Sequence, residues 1–157
     1  MRVGLISDTH DNAPAVRHAA RFFLEQGVDL VLHLGDVCEP ETFALLEGLP
    51  VQAVRGNNDV ALARLPDSWQ SNLAGIDVFA THGHIPGMIR GAVGRVDLIL
   101  HGHTHKRRLT RFDRSLVVNP GALWRCKERT IAILTLPSLE VAFFPVGEDG
   151  VRPALAE

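Results

Sequence analysis

Apolar runs rich in Val, Ile and Leu recur along the chain, and several end abruptly in a polar cluster. Arg2–Ser7, Asp29–Leu34, Val51–Arg55, Ile76–Ala80 and Asp97–Leu100 have the length and branched-residue content of buried strands. Between the first two, Val16, Ala19, Ala20, Phe23 and Leu24 recur at helical spacing. They predict a helix over Ala13–Gln26, with Asn12 as its cap, Pro14 in its first turn and Gly27 ending it. Shorter helices are predicted near Pro40–Glu47 and Pro86–Val93. Val60–Gln70 is polar and contains Pro66, so it is expected to be a surface segment with at most one helical turn. Leu73–Thr81 reads as a hairpin turning at Ala74–Gly75. From Arg108 onward strands are predicted at Leu109–Phe112, Leu116–Val118, Thr130–Leu136 and Leu139–Phe144, with a tight turn at Pro137–Ser138. Strand–helix alternation early and antiparallel β late predict a single α/β domain over residues 1–157.

Bulk properties narrow the choice of function. A chain of 157 residues, 46% hydrophobic, suits one compact core. Its formal charge of −2 supplies no global basic field, and with 6% aromatics and no Tyr it lacks a base-stacking platform, so no dedicated nucleic-acid surface is expected. No apolar run approaches the ~20 residues that span a bilayer, and the apolar start is cut short at Asp8, so no membrane or secretory segment is expected. Cys38 and Cys126 form no Cys-x-x-Cys pair, which makes a reducing cytoplasm the expected compartment.

The chemistry lies where the apolar runs stop. Leu5-Ile6-Ser7 leads to Asp8-Thr9-His10, and Leu34-Gly35 to Asp36. Arg55-Gly56 leads to Asn57-Asn58-Asp59, Ala80-Thr81 to His82-Gly83-His84, and His101-Gly102 to His103-Thr104-His105. In an open α/β sheet such carboxyl ends line one crevice, where ligands bind. Asp8 and His10, like His103 and His105, are two apart and in extended backbone would project the same way. Imidazole with carboxylate and amide oxygen, and no thiolate, suits Mn, Fe, Ni or Zn. Seven candidate ligands, Asp8, His10, Asp36, Asn57, His82, His103 and His105, exceed one tetrahedral ion and match two ions sharing a carboxylate. Two dications against two carboxylates leave a positive centre that attracts a phosphate ester.

Any one of these residues alone is ordinarily a turn former or cap; the joint pattern is what signals metal. Asn12 has the role of a cap and His18 that of a surface residue. His33 and His101, inside apolar strands, are expected to make core or supporting hydrogen bonds, and Cys38 to act as a small buried hydrophobe. Lys106-Arg107-Arg108, with Arg111 and Arg114, reads as a solvated hairpin face rather than a phosphate-steering patch.

These residues resemble the calcineurin-like metallophosphoesterases, most closely their small single-domain phosphodiesterase branch. Asp8-Thr9-His10 is similar to the family's D-x-H motif, Gly35-Asp36 to G-D, Gly56-Asn57-Asn58-Asp59 to G-N-x-D, His82 to the lone histidine and Gly102-His103-Thr104-His105 to G-H-x-H. Asn119-Pro120-Gly121 resembles N-P-G-S, with Ala122 where Ser is usual. The resemblance runs from Met1 to about Phe144. It implies a four-layer αββα sandwich, two mixed sheets face to face with helices outside. It also implies two divalent metal ions, Mn first among Mn, Ni, Fe and Zn. One would be held by Asp8, His10, Asp36 and His105, the other by Asp36, Asn57, His82 and His103. A hydroxide between them would attack phosphorus in line with the leaving oxygen.

One departure stands out. Many relatives carry His at the third position of G-N-x-D, where it is thought to protonate the leaving alkoxide; here that position is Asn58. Asn hydrogen-bonds but cannot donate a proton as a general acid. His84 is near enough in sequence to replace it, or to act as a supporting contact. The expected function is hydrolysis of small or nucleotide-like phosphodiesters. A phosphomonoesterase and a non-catalytic scaffold resembling the retromer subunit are the alternatives, and self-association is open. A metallo-β-lactamase-type hydrolase needs a local H-x-H-x-D-H cluster that is absent.

Overall fold

The computed structural model describes residues 1–156. Ten strands form two five-stranded mixed sheets. The first sheet holds β1 (Arg2–Ile6), β2 (Leu30–His33), β3 (Val51–Ala53), β9 (Thr130–Thr135) and β10 (Glu140–Pro145), in the order β10-β9-β1-β2-β3. The second holds β4 (Ser68–Leu73), β5 (Ile76–Thr81), β6 (Leu98–Leu100), β7 (Arg108–Phe112) and β8 (Ser115–Asn119), in the order β4-β5-β6-β8-β7. In the first sheet β1, β2 and β3 run parallel, with β3 at one edge, and β9 and β10 continue it antiparallel on the other side. In the second, β5, β6 and β8 run parallel in the middle and antiparallel β4 and β7 close the two edges.

Three apolar clusters arrange these sheets into layers. Val3, Leu5, Leu32 and Leu134 of the first sheet meet Val78, Leu98, Leu100 and Val118 of the second in one buried cluster, so the sheets pack face to face. On the outer face of the first sheet, Ala15, Val16, Ala19, Ala20 and Phe23 of α1 (Ala13–Glu25) cover Ile6, Val31 and Ile133. On the far side, Ala92 and Met88 of α3 (Met88–Ala92) cover Phe79, Ile99 and Val117. Helix, sheet, sheet, helix is the four-layer arrangement that the family resemblance implies. Gly4 in β1 permits the α1 contact: a Cβ there would sit 2.9 Å from the Phe23 ring.

Most elements fall where the hydrophobic pattern puts them, with α2 shrinking to Glu41–Ala44. The Asn12 side chain accepts from Ala15 N at 3.4 Å, the predicted cap. One segment differs. Val60–Gln70 has its single helical turn, at Val60–Leu62, but Ser68–Gln70 open β4, which pairs with β5 from Ser68 to Leu73. This edge strand has one half-buried face and a polar sequence, Ser-Trp-Gln-Ser-Asn-Leu, so it carries little of the apolar signal of a central strand. Among the described residues no helix is long and apolar enough to cross a membrane.

Candidate metal centre

Parallel strands β1, β2, β3, β5 and β6 all deliver their following loops to one end of the sandwich, at the seam between the sheets. Asp8, His10, Asp36 and His105 come together there, their ligating atoms all within 4.8 Å of one another. Asp36 Oδ2 lies 3.3 Å from His10 Nε2 and 3.5 Å from His82 Nε2. His82 Nε2 is in turn 3.2 Å from Asn57 Oδ1. The His103 ring stands 5.1 Å from that of His82, and the His84 ring 5.4 Å from His82 and 6.3 Å from His103, centre to centre. All nine candidate side chains therefore border one region, with Asn58 reaching it through Asp36.

The way these loops reach the seam corrects one expectation. Asp8, His10, Asp36, His103 and His105 have φ between 41° and 67°, so neither two-apart pair lies on extended backbone. Left-handed backbone at non-glycine residues is costly, on the order of 1–3 kcal/mol each, and persists where surrounding contacts impose it. Those contacts are visible. Asp8 N donates to Gly35 O at 3.0 Å and His10 N to Asp36 O at 3.1 Å, tying the loops after β1 and β2 together.

Hydrogen bonds from the surroundings aim four of the candidate ligands. Asp8 Oδ2 accepts from Ser7 Oγ at 2.5 Å and from His103 N at 3.1 Å, leaving Oδ1 facing His105 Nε2 at 3.1 Å. His82 Nδ1 lies 2.6 Å from Leu34 O and His105 Nδ1 3.3 Å from Arg125 O. A carbonyl only accepts, so both Nδ1 atoms carry hydrogen and both Nε2 atoms face the carboxylates. Asp36 accepts from Asn58 N at 2.9 Å and Asn58 Nδ2 at 2.8 Å.

Two positioning residues escaped the sequence reading. Asp59, buried, accepts from Asp36 N (2.9 Å), Gly56 N (2.6 Å) and Cys38 N (2.7 Å), latching the loop after β2 to the loop after β3. Asn119 donates to Gly102 O at 2.8 Å and Thr104 Oγ1 at 3.1 Å, holding the His103–His105 turn. Both sit in motifs that were recognised; what the sequence lacked was which backbone groups they would meet. Gly56 lies so close to Asp36 that any Cβ would collide with its carboxylate.

The electrostatics suit a cation. Asp8 Oδ1 and His10 Nε2 are buried and make no aligned hydrogen bond among the described residues, each facing only another candidate ligand, His105 Nε2 at 3.1 Å and Asp36 Oδ2 at 3.3 Å. Burial pushes the Asp8 carboxyl up, against His82, Ser7 and His105. Burial also acts on Asp36, but the adjoining His10 and His82 imidazoles and the Asn58 N–H outweigh it and hold that carboxyl far below the usual range. Burial pulls His82 down, yet Asp36 and Asp8 prevail and raise it, and a cation bound at Nε2 would compete with that proton. Burial, then His82 and His103, lower His84, which is mainly neutral at pH 7. The mixed N/O donor set and the unpartnered oxygen and nitrogen together fit divalent metal.

The remaining histidines are supporting groups, as expected. His101 Nδ1 is 3.0 Å from Gly102 O, and burial lowers its pKa. His33, 3.2 Å from Thr9 Oγ1, is lowered to about 4 by burial. His18 contacts Glu148 O at 3.1 Å, near the surface. Cys38 is half-buried with Sγ 3.6 Å from His10 Nδ1, and burial raises its thiol to about 12, so it behaves as a small neutral neighbour of the centre. The His33 value has a measurable consequence. The unfolded chain takes up this proton near 6.5 and the folded protein only near 4, so stability is full above pH 6.5 and falls between the two values. Denaturation of metal-stripped protein at pH 7.5 and 4.5 should show a loss of about 2–3 kcal/mol from this site. A His33→Leu variant should lose correspondingly less; an identical decline in both would refute the assignment.

Comparison with known proteins gives a consistent picture. Residues 1–138 match the calcineurin-like phosphoesterase superfamily domain. The chain is 32% identical over 139 residues to the phosphodiesterase MJ0936 of Methanocaldococcus jannaschii, covering 77% of this chain and 83% of that protein. A solved archaeal phosphodiesterase superposes with a TM-score of 0.87 at 29% identity, over 92% of this chain and 99% of the other. Vps29 of Entamoeba histolytica, solved with zinc, superposes with a TM-score of 0.74 over 99% and 98% of the two chains; at 22% identity it is alike in fold.

Proposed function

The chain belongs to the calcineurin-like phosphoesterase superfamily, and on that footing we propose that it hydrolyses phosphodiesters at a centre built for two divalent cations. The observation that carries the reading is Asp36 Oδ2, which lies between His10 Nε2 and His82 Nε2. Those histidines belong to different ligand sets. Asp8, His10, Asp36 and His105 would hold one cation; Asp36, Asn57, His82 and His103 the other. Manganese is the first candidate for both. Bound there, the cations would supply a water acidic enough to attack phosphorus at neutral pH and a positive field for the phosphoryl oxygens.

The chain's own groups orient this chemistry. Leu34 O and Arg125 O fix His82 and His105 in the tautomer that presents Nε2. Asn58 Nδ2, now donating to Asp36, is the side-chain donor placed to turn toward a phosphoryl or leaving oxygen. His84, mainly neutral, is assigned a hydrogen bond to the leaving group rather than a stored proton. A scaffold without catalysis would tolerate loss of ligating side chains, whereas all seven are kept. Two unpaired cysteines fit the reducing cytoplasm proposed for it.

Metal-stripped protein reloaded separately with Mn, Ni, Zn or Mg, then given bis-(p-nitrophenyl) phosphate and p-nitrophenyl phosphate, tests the proposal. The diester should be preferred, with Mn among the best activators. Faster monoester cleavage would make it a phosphomonoesterase, and metal binding without any hydrolysis would favour the scaffold.

A further inference from the structure

Lys106, Arg107, Arg125 and Lys127 surround a cleft of about 380 Å³ that opens beside the candidate metal centre, with His105 forming part of its wall. His105 is shared: its Nε2 faces Asp8, and its Nδ1 hydrogen-bonds Arg125 O across the cleft. The chain has only two lysines, and both are here. Glu128 is the single acid in the lining. Among the described residues the arginine ion pairs are Arg21–Glu25, Arg55–Asp67 and Arg114–Asp97, so none of the four cleft cations is paired. Gathering four like charges in one concavity of a protein with net charge −2 incurs repulsion that a bound anion offsets. Two guanidinium forks and two ammonium groups suit a phosphate dianion better than a carboxylate's single charge.

We propose that this cleft binds a second phosphate of the substrate whose diester lies at the metal centre, so that the preferred substrates are phosphodiesters carrying a terminal phosphomonoester. The inference rests on the phosphodiesterase reading of the neighbouring centre and narrows its substrate class. It also revises the role of Lys106 and Arg107. In sequence they look like part of a solvated hairpin; in space they join Arg125 and Lys127, about twenty residues away, around one ligand-sized opening.

The test uses the Mn-loaded wild-type protein and two chromogenic probes, thymidine 5′-(p-nitrophenyl phosphate) with and without a 3′-phosphate. The 3′-phosphate should raise kcat/KM about tenfold or more at low salt, and the ratio should shrink as ionic strength rises. In the Arg107→Gln/Lys127→Gln double variant the ratio should fall to about one. Calorimetry with thymidine 3′,5′-bisphosphate and thymidine 5′-phosphate reads the same preference without turnover. Equal affinities and equal kcat/KM for the paired probes would overturn the proposal while leaving the phosphodiesterase reading intact. Tighter bisphosphate binding with no hydrolysis of any diester would support the cleft and sink that reading instead. A short oligothymidylate without terminal phosphate that outcompetes the bisphosphate would overturn the assignment in favour of an internal nucleic-acid phosphate.

Discussion

Asp36→Asn is expected to lower kcat/KM for bis-(p-nitrophenyl) phosphate by about 10³-fold and to reduce bound metal from two equivalents toward one or none. The carboxylate lies close to a histidine of each set, 3.3 Å from His10 and 3.5 Å from His82, whereas Asp8 Oδ1 is 3.9 Å from His82. An amide of equal size supplies a single neutral oxygen and cannot bridge two cations as a carboxylate does. Losing one cation removes several kcal/mol of transition-state charge stabilisation, and each 1.36 kcal/mol is about tenfold in rate. The variant should still fold, because Asp59 keeps its three bonds between the loops after β2 and β3 and the new amide oxygen can still accept from Asn58 N. Elemental analysis and steady-state kinetics on one preparation decide the matter. Two tightly held equivalents with near-normal activity would rule out Asp36 as the bridge.

The second large effect concerns the leaving group. Wild-type protein should cleave aryl diesters far faster than alkyl or ribose-linked ones, because nitrophenolate departs without a proton and Asn58 cannot provide one. General acid help is typically worth ~10²–10⁴ in rate. Asn58→His should therefore speed cleavage of an unactivated alkyl diester by about 10²-fold, the lower end of that range, with little change for the aryl ester. The position is suited to the exchange, since Asn58 N is already anchored to Asp36 Oδ1 at 2.9 Å and the side chain emerges beside the same carboxylate. An unchanged alkyl rate in the variant would show that a different group, His84 first among them, governs departure.

The parts of this structure that could be read from sequence share a physical cause. Central parallel strands are buried on both faces, so Leu5, Leu32 and Ile99 sit in continuous apolar runs, and the polar residues that end them are conspicuous. Asp8, Asp36 and His82 were legible for that reason. What could not be read was long-range or conformational. The left-handed backbone of Asp8 and His103 leaves no mark on residue type. Asp59 looks like any turn aspartate until its three N–H donors are seen. Edge strand β4 alternates too weakly to announce itself, and the cationic cleft depends on a loop folding back beside His105.

Two hydrogen bonds cross the seam between the sheets at the site itself, from His103 N to Asp8 and from His82 to Leu34 O. Each sheet thus supplies part of every ligand set and also grips the other sheet at that spot. Any sliding of one layer over its neighbour would change the separation of the two proposed cation sites and strain both bonds together. The spacing of the two cations proposed for this site would thereby be set by how the halves of the sandwich are bolted, so the same joint that keeps the layers in register would also set the gauge of the chemistry.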